Sequence, residues 1–324
     1  MRGLRRIRGK IWVARQKFRP KAAILMYHRI IDLPNDPYKV AVSPDNFAQQ
    51  MEHIKRKYQP ISLPEMVEAI QKNAMPRKAV VVTFDDGYFD NYTNARPILE
   101  ALQIPWTLFV TTNLIGSKCD TWWDELANVM IESPNVPAQL QLNMQGQRYA
   151  WPMTTGDERQ SACFDLHPIL LPMTAPDRNQ IIEQLFKWAG IAQTPRSNYR
   201  MMTPSELAEV AQSKYVDLGA HTHTHPYLSS LSKEDQLKEI VVSRNTLQEK
   251  YNQSISTFAY PFGNFTDDTV EGVQEAGFQA AVTVQAAHVQ SDTDLFLLGR
   301  YQVENWQIDQ FSQKLKAVFK EVRI

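Results

Sequence analysis

The stretch Val80-Val81-Val82-Thr83-Phe84-Asp85-Asp86-Gly87 decides the fold. Five apolar or β-branched residues in a row, without polar alternation, read as a strand buried on both faces. The run ends in two carboxylates and a glycine. In an α/β barrel the C-terminal strand ends form the active face, so acids at that position are chemically placed. Two adjacent carboxylates there repel unless a cation or a proton is shared. Asp-Gly is also a common turn pair, and a solvated turn explains the segment equally well on its own.

Working outward, the same texture recurs. Short apolar runs lie at Ala22–Tyr27, Thr107–Thr111, Val216–Ala220, Ser256–Tyr260, Gln279–Val284 and Leu297–Val303. Helical patterns with start signals separate them. Ser43-Pro44 precedes Phe47, Met51, Ile54 and Tyr58 at helical spacing. Thr203-Pro204-Ser205-Glu206 is a capping box with proline at the first helical position. Ser232 opens a helix through Tyr251, Thr266 opens one ending near Gly277, and Gln307–Ile324 reads as a closing helix. Repeated strand–helix alternation predicts a parallel α/β sheet, open or closed into a barrel. Residues 113–200 break the rhythm with Trp122-Trp123-Asp124, a polar middle at Gln139–Arg148, several prolines and a helical pattern over Pro176–Ala189. They read as an insertion on one barrel loop. The expected division is a basic arm over 1–21 and a single domain over 22–324.

The chain has 324 residues, 43% hydrophobic, enough for one large core. Its formal net charge of zero argues against a nucleic-acid binder acting through bulk charge. The first 21 residues nevertheless carry nine basic groups and no acid, leaving the remainder at −9. That arm reads as a solvated tail, or as an interfacial segment touching anionic lipid through Leu4, Ile7, Ile11, Trp12 and Phe18. No secretory signal and no 18-residue apolar span is seen, so the expected location is cytoplasmic, with peripheral membrane contact through the arm. Cys119 and Cys163 show no metal-ligand spacing.

Two further strand ends carry chemistry. In His221-Thr222-His223-Thr224-His225 the outer histidines are four apart; on one helical turn they would share a face and chelate one ion. A polar loop whose histidines bond to backbone is the alternative. Phe258-Ala259-Tyr260-Pro261-Phe262-Gly263 ends a strand in a tight turn that can aim a backbone N–H at a ligand, and an ordinary strand-to-helix turn explains the segment equally well on its own. One carboxylate and two imidazoles at predicted strand C-termini make a metal site with positions left for water and substrate.

With these motifs the sequence resembles the polysaccharide deacetylase family of carbohydrate esterases, the NodB-homology group. Thr-Phe-Asp-Asp-Gly is matched at 83–87, His-Thr-x-x-His at 221–225, and the Pro-Phe-Gly turn at 261–263. The resemblance runs from about Ala22 to Val303, with the insertion the poorest match. It implies a deformed (β/α)7-type, TIM-like barrel and a hydrolase that removes N-acetyl groups from N-acetylhexosamine units of a polysaccharide or oligosaccharide. By resemblance Asp86, His221 and His225 bind a divalent metal, zinc first, with cobalt, nickel or manganese also suited. Asp85 would be the general base for a metal-activated water, and the backbone N–H of Phe262 would share the oxyanion. Tyr260 and Pro261 would contact substrate.

Two departures stand out. The family arginine that orients the base is absent before Pro261, where Ala259-Tyr260 stand instead; Arg300 is the candidate replacement. No clear copy of the late histidine motif that supplies the general acid is present. His288 falls in a polar loop, and His28, at the end of the first strand, is better placed as acid or substrate contact. His167 reads as structural. Trp122, Trp123 and Asp124 are candidates for a sugar-stacking wall, with core packing the alternative. Two other functions share these features: a non-catalytic carbohydrate-binding barrel, and a metal-dependent hydrolase of an O-acetyl ester or a non-sugar amide.

Overall fold

In the computed structural model, residues 20–144 and 146–320 are described. Most of the basic arm and the last four residues of the expected closing helix lie outside them. The strands in chain order are β1 (Ala22–Tyr27), β2 (Arg29–Ile30), β3 (Ala41–Val42), β4 (Gln59–Pro60), β5 (Ala79–Phe84), β6 (Trp106–Val110), β7 (Gln139–Met144), β8 (Gln147–Pro152), β9 (Val216–Ala220), β10 (Thr257–Ala259), β11 (Ala280–Val282) and β12 (Tyr301–Gln302). The main sheet is parallel and runs β11-β10-β9-β6-β5-β1-β12, with β4 against the start of β5. Leu25 pairs with Tyr301 on one side, while Leu298 bridges to Val282 on the other. Residues 298–302 thus lie between the two ends of the sheet and close it into a deformed (β/α)7 barrel.

The helices are α1 (Pro44–Lys57), α2 (Leu63–Gln71), α3 (Arg96–Ala101), α4 (Trp122–Ala127), α5 (Gly156–Leu170), α6 (Ala175–Ala189), α7 (Pro204–Ala211), α8 (Lys233–Tyr251), α9 (Asp267–Glu275) and α10 (Ile308–Lys320). Local chemistry starts and stops them. The Thr203 hydroxyl accepts from the Glu206 N–H while the Glu206 carboxylate accepts from the Thr203 N–H, the expected capping box. Ser232 caps α8, which ends at Asn252 in the left-handed conformation.

Every side chain of β5 is buried, as is every one of β1 and β6. Alternate residues face two cores. Val80, Val82 and Phe84 pack outward against the helices, while Val81 joins Ile24, Phe109 and Val282 in a second cluster with Leu63, Met66 and Ile70 of α2. Between β6 and β9, which pair directly from Trp106↔Val216 to Val110↔Ala220, the chain makes the β7–β8 hairpin and helices α4 to α6. These build a third core around Trp122, Leu142, Trp151, Leu166 and Phe186. No helix among the described residues is long and apolar enough to cross a membrane.

Candidate active site

The β5 strand delivers Asp85 and Asp86 to the C-terminal face through a sharp turn. Asp86 has φ 76° and Gly87 φ 95°, the left-handed region in which a non-glycine residue is strained. The histidine segment after β9 is not a helical turn. Thr222 (φ 63°) and His225 (φ 58°) are left-handed, and this looped backbone folds the two imidazoles together with centroids 4.7 Å apart. Glu239 on α8 clamps the loop. Its carboxylate accepts from the N–H groups of His223 and Thr224 and from the Thr224 hydroxyl, at 2.7–2.9 Å. The His223 ring turns away, its Nδ1 2.8 Å from the Thr112 hydroxyl.

Asp86, His221 and His225 are all buried and offer one ligand atom each within 4.8 Å of one another. Both Nε2 atoms lie 3.5 Å from Asp86 Oδ1 and 3.1 Å from each other. Ligands about 2.0–2.2 Å from one tetrahedral centre would stand roughly 3.3–3.6 Å apart, so the spacing fits a common cation. The tautomer fits too. His221 Nδ1 lies 2.8 Å from the Ala259 carbonyl, which can only accept, so the neutral ring carries its proton there and turns the Nε2 lone pair inward. Burial lowers the pKa of both histidines, which favours neutral, ligating imidazoles. Burial and the neighbouring Asp85 charge push the Asp86 carboxyl up, the situation a bound cation relieves.

Asp85 is held from the opposite direction. Arg300 donates to both its oxygens at 2.7 Å, and also to the Thr283 carbonyl at 3.0 Å and the Thr83 hydroxyl at 3.3 Å. Burial opposes the Asp85 charge, but the Arg300 guanidinium outweighs it and holds the carboxyl well below the usual range. His28 Nε2 stands 4.0 Å from Asp85 Oδ2, and burial pushes its pKa down to about 4.

His28, Asp85, Asp86, His221 and His225 line one cavity of about 190 Å³, together with Tyr38, Tyr88, Trp123, His167 and Phe262. Phe262 is left-handed (φ 56°, ψ 10°), and its ring packs edge-on against His225 at 4.5 Å. The next residue, Gly263, has φ 66°, and a Cβ there would meet Val284 at 2.2 Å. Trp123 lies 4.9 Å from His225, its indole N–H donating to the Tyr88 hydroxyl at 2.8 Å. Tyr88 in turn donates to Asp124, whose same oxygen accepts from Thr121. Asp124 is therefore buried behind the wall rather than facing a substrate. Tyr260 is likewise fully buried, its hydroxyl donating to the Phe296 carbonyl, and Pro261 is buried as the first residue of the turn. His288 is buried elsewhere.

The sequence model of the family described as "Polysaccharide deacetylase" matches residues 72–139 and 178–281, just over half of the chain. The chain belongs to that family. The unmatched stretch between them falls within the insertion. A poly-beta-1,6-N-acetyl-D-glucosamine N-deacetylase of Staphylococcus epidermidis is 23% identical over 76% of this chain and 61% of its own length, so this chain spans less than two thirds of that relative. Among solved structures, the Streptococcus pyogenes deacetylase PplD in complex with acetate superposes with a TM-score of 0.61 at 21% identity, covering 92% of this chain and 99% of that one. IcaB from Ammonifex degensii gives 0.61 at 20% identity over 93% and 98%. Both share the barrel of the carbohydrate-esterase, NodB-homology group.

Set on that barrel, four site features of this deacetylase-family chain escape a reading of its motifs. Glu239 acts on the ligand loop from outside the cavity, through the His223 and Thr224 N–H groups and the Thr224 hydroxyl. Tyr88 belongs to the first motif's flank, and Tyr38 reaches the cavity from the loop between β2 and β3. His167, read as structural, stands in the cavity wall with its ring 4.8 Å from Trp122. Only Tyr88, one residue beyond the Asp-Asp-Gly turn, carried a positional signal.

Proposed function

We propose that the chain is a metal-dependent N-deacetylase that hydrolyses the acetamide of N-acetylhexosamine units in a polysaccharide or oligosaccharide. The observation that carries this reading is the meeting, in one cavity, of a three-ligand cluster (Asp86, His221, His225) and a carboxylate held ionised by Arg300 (Asp85). The names of the relatives support the substrate class: those of Staphylococcus epidermidis and Escherichia coli K12 are both poly-beta-1,6-N-acetyl-D-glucosamine N-deacetylases. A divalent metal held by the three ligands, zinc first and cobalt, nickel or manganese also compatible, would lower the pKa of a water and polarise the amide carbonyl.

The chain's own groups do the rest. Asp85 accepts the proton of the attacking water, and Arg300 fixes both its charge and its plane. The Phe262 N–H, aimed by a left-handed backbone, donates to the oxyanion. His28, half-buried beside Asp85, contacts the leaving nitrogen or relays to it the proton that Asp85 has taken from the water. Trp123 offers an aromatic face to the sugar, and Asp124 acts on it through Tyr88. Tyr260 and Pro261 set the turn that presents Phe262. The barrel and the insertion over 113–200 work as one unit, since Trp123 and His167 of the insertion complete the cavity wall.

The test is Asp85→Asn with metal content and acetate release from N-acetylglucosamine oligomers measured side by side. Retained metal with activity reduced at least a hundredfold is expected. Unchanged acetate release removes Asp85 as base. Sugar binding without turnover across metals and acetylated substrates turns the reading to a carbohydrate-binding barrel.

A further inference from the structure

Arg178, on α6 of the insertion, is 6% exposed, and no carboxylate among the described residues comes within ion-pairing distance of it. Its Nε is buried without a partner, and Nη1 reaches only the Met173 carbonyl, at a long 3.5 Å. The guanidinium lies 4.7 Å over the Trp122 ring. A cation–π contact is worth on the order of 1–2 kcal/mol, whereas taking a charge out of water costs several. Buried charges are normally paired, so this one lacks its counter-charge.

The surroundings say where that counter-charge comes from. Arg178 lines two cavities, of about 510 and 270 Å³, that share it with Ala175 and Thr224. The larger is also lined by Trp123 and His225, which line the catalytic cavity from the other side. The larger cavity and the catalytic one thus adjoin at Trp123 and His225, and a sugar chain extending from the catalytic cavity into the other enters the space that Arg178 lines. The five acids in the cavities that Arg178 lines are engaged elsewhere: Asp120 by Arg196, Glu125 by Gln193, Glu183 by Lys187 one helical turn on, Asp235 by Ser232, and Glu239 by the histidine loop. Burial pulls the Arg178 pKa down to about 10, so it stays charged at neutral pH.

We propose that Arg178 is a subsite for an anionic oxygen group, a carboxylate or a phosphate, carried on a sugar unit next to the one being deacetylated. The assignment of that anion to substrate rests on the deacetylase reading; the anion site itself does not. The planar guanidinium, with its fixed fork of N–H donors, suits charge-assisted binding of either group through its terminal nitrogens. The glycan recognised here is therefore acidic rather than a plain neutral homopolymer.

The test uses the metal-loaded full chain. Inorganic phosphate is titrated while tryptophan fluorescence and melting temperature are followed, with Trp122 as the nearby reporter. Wild type and the exposed Arg148→Gln control, a residue that lines neither cavity, should respond at millimolar phosphate. Arg178→Met should lose that response, and any phosphate held at the metal centre persists in both and cancels in the comparison. In parallel, a neutral N-acetylglucosamine oligomer is compared with oligomers bearing a carboxylate or a phosphate ester on the adjacent unit. One charge-assisted contact predicts a KM about tenfold lower for one acidic form in wild type, and no preference in Arg178→Met at similar kcat. Which acidic form gains identifies the group. An equal phosphate response in wild type and Arg178→Met overturns the site. So does a wild type that ignores phosphate while Arg178→Met merely melts earlier, because Arg178 is then a pillar for Trp122. Should the methionine variant not fold, Arg178→Lys, which keeps the charge and loses the fork, must weaken the response; an undiminished one overturns the proposal. Phosphate binding without acetate release from any oligomer sinks the deacetylase reading and leaves the site standing.

Discussion

Arg300 grips both carboxylate oxygens of Asp85 at 2.7 Å across 215 residues of sequence. The guanidinium is fully buried, so the pair is more than a surface contact. Removing the cation strands a buried carboxylate, which typically costs 3–5 kcal/mol. Arg300→Met should lose about that much stability in urea unfolding, and Arg300→Met with Asp85→Asn should recover part of it. Arg300→Lys keeps a charge but not the fork and should fall between. Because the Asp85 pKa is depressed in the folded state, the pair's contribution is complete above the ordinary carboxylate range and declines as pH falls below it. No recovery in the double variant would show that the cost lies in lost packing rather than in the pairing.

Glu239 sets the shape of the ligand loop without touching a metal. Its three bonds hold His223 and Thr224, the residues between the left-handed Thr222 and His225. Loss of an outer support of this kind typically lowers metal affinity 10–100-fold. Glu239→Ala should therefore bind zinc that much more weakly in competition with a chromophoric chelator, and acetate release should return at high zinc. An unchanged zinc affinity would assign the clamp to folding alone.

What the sequence disclosed followed the strength of local signals. The β5 run and its acids were legible because a strand buried on both faces has no polar alternation to obscure it. The Thr203 capping box was legible because its residues are contiguous. The β7–β8 hairpin was passed over as a polar middle, although Leu140, Leu142 and Met144 alternate with polar residues and turn inward. Helical spacing suggested one face for His221 and His225; the pairing of the rings comes instead from a loop with two positive φ values, which no periodicity reveals. Arg300 was nameable as a candidate, but its contact with Asp85 depends on residues 298–302 closing the barrel. Asp124 is a candidate substrate contact through its place beside the Trp122-Trp123 pair, and Tyr260 through its place in the third motif. Both are buried, Asp124 accepting from Tyr88 and Thr121 and Tyr260 donating to the Phe296 carbonyl.

Tyr88 couples the barrel to the insertion by accepting from Trp123 and donating to Asp124, each at 2.8 Å. Tyr88→Phe leaves the Trp123 N–H without that acceptor and frees the ring that flanks His225. A neutral hydrogen bond nets about 1 kcal/mol, so KM for an oligomer should rise roughly fivefold. The metal and base are untouched, so kcat should stay within about twofold. An equal fall in kcat with unchanged KM would place Tyr88 in the chemistry instead.

Asp217 gives a pH signature remote from the site. It lies near the start of β9, opposite Thr107, while His221 follows the strand's other end. Burial, then the charge of Glu65, pushes its pKa up to about 6. The folded carboxyl thus holds its proton more tightly than the unfolded one, which titrates near 3.9. The resulting stabilisation is complete below that unfolded value and is lost as pH rises through about 6. Asp217→Asn removes the penalty. At pH 7 it should be more stable than wild type by roughly 1–2 kcal/mol, after allowing for partial solvent access. The difference should vanish near pH 4, and acetate release at pH 7 should match wild type. Urea midpoints at the two pH values decide the matter. An asparagine variant less stable at pH 7 would mean that the Asp217 charge is compensated in the folded chain.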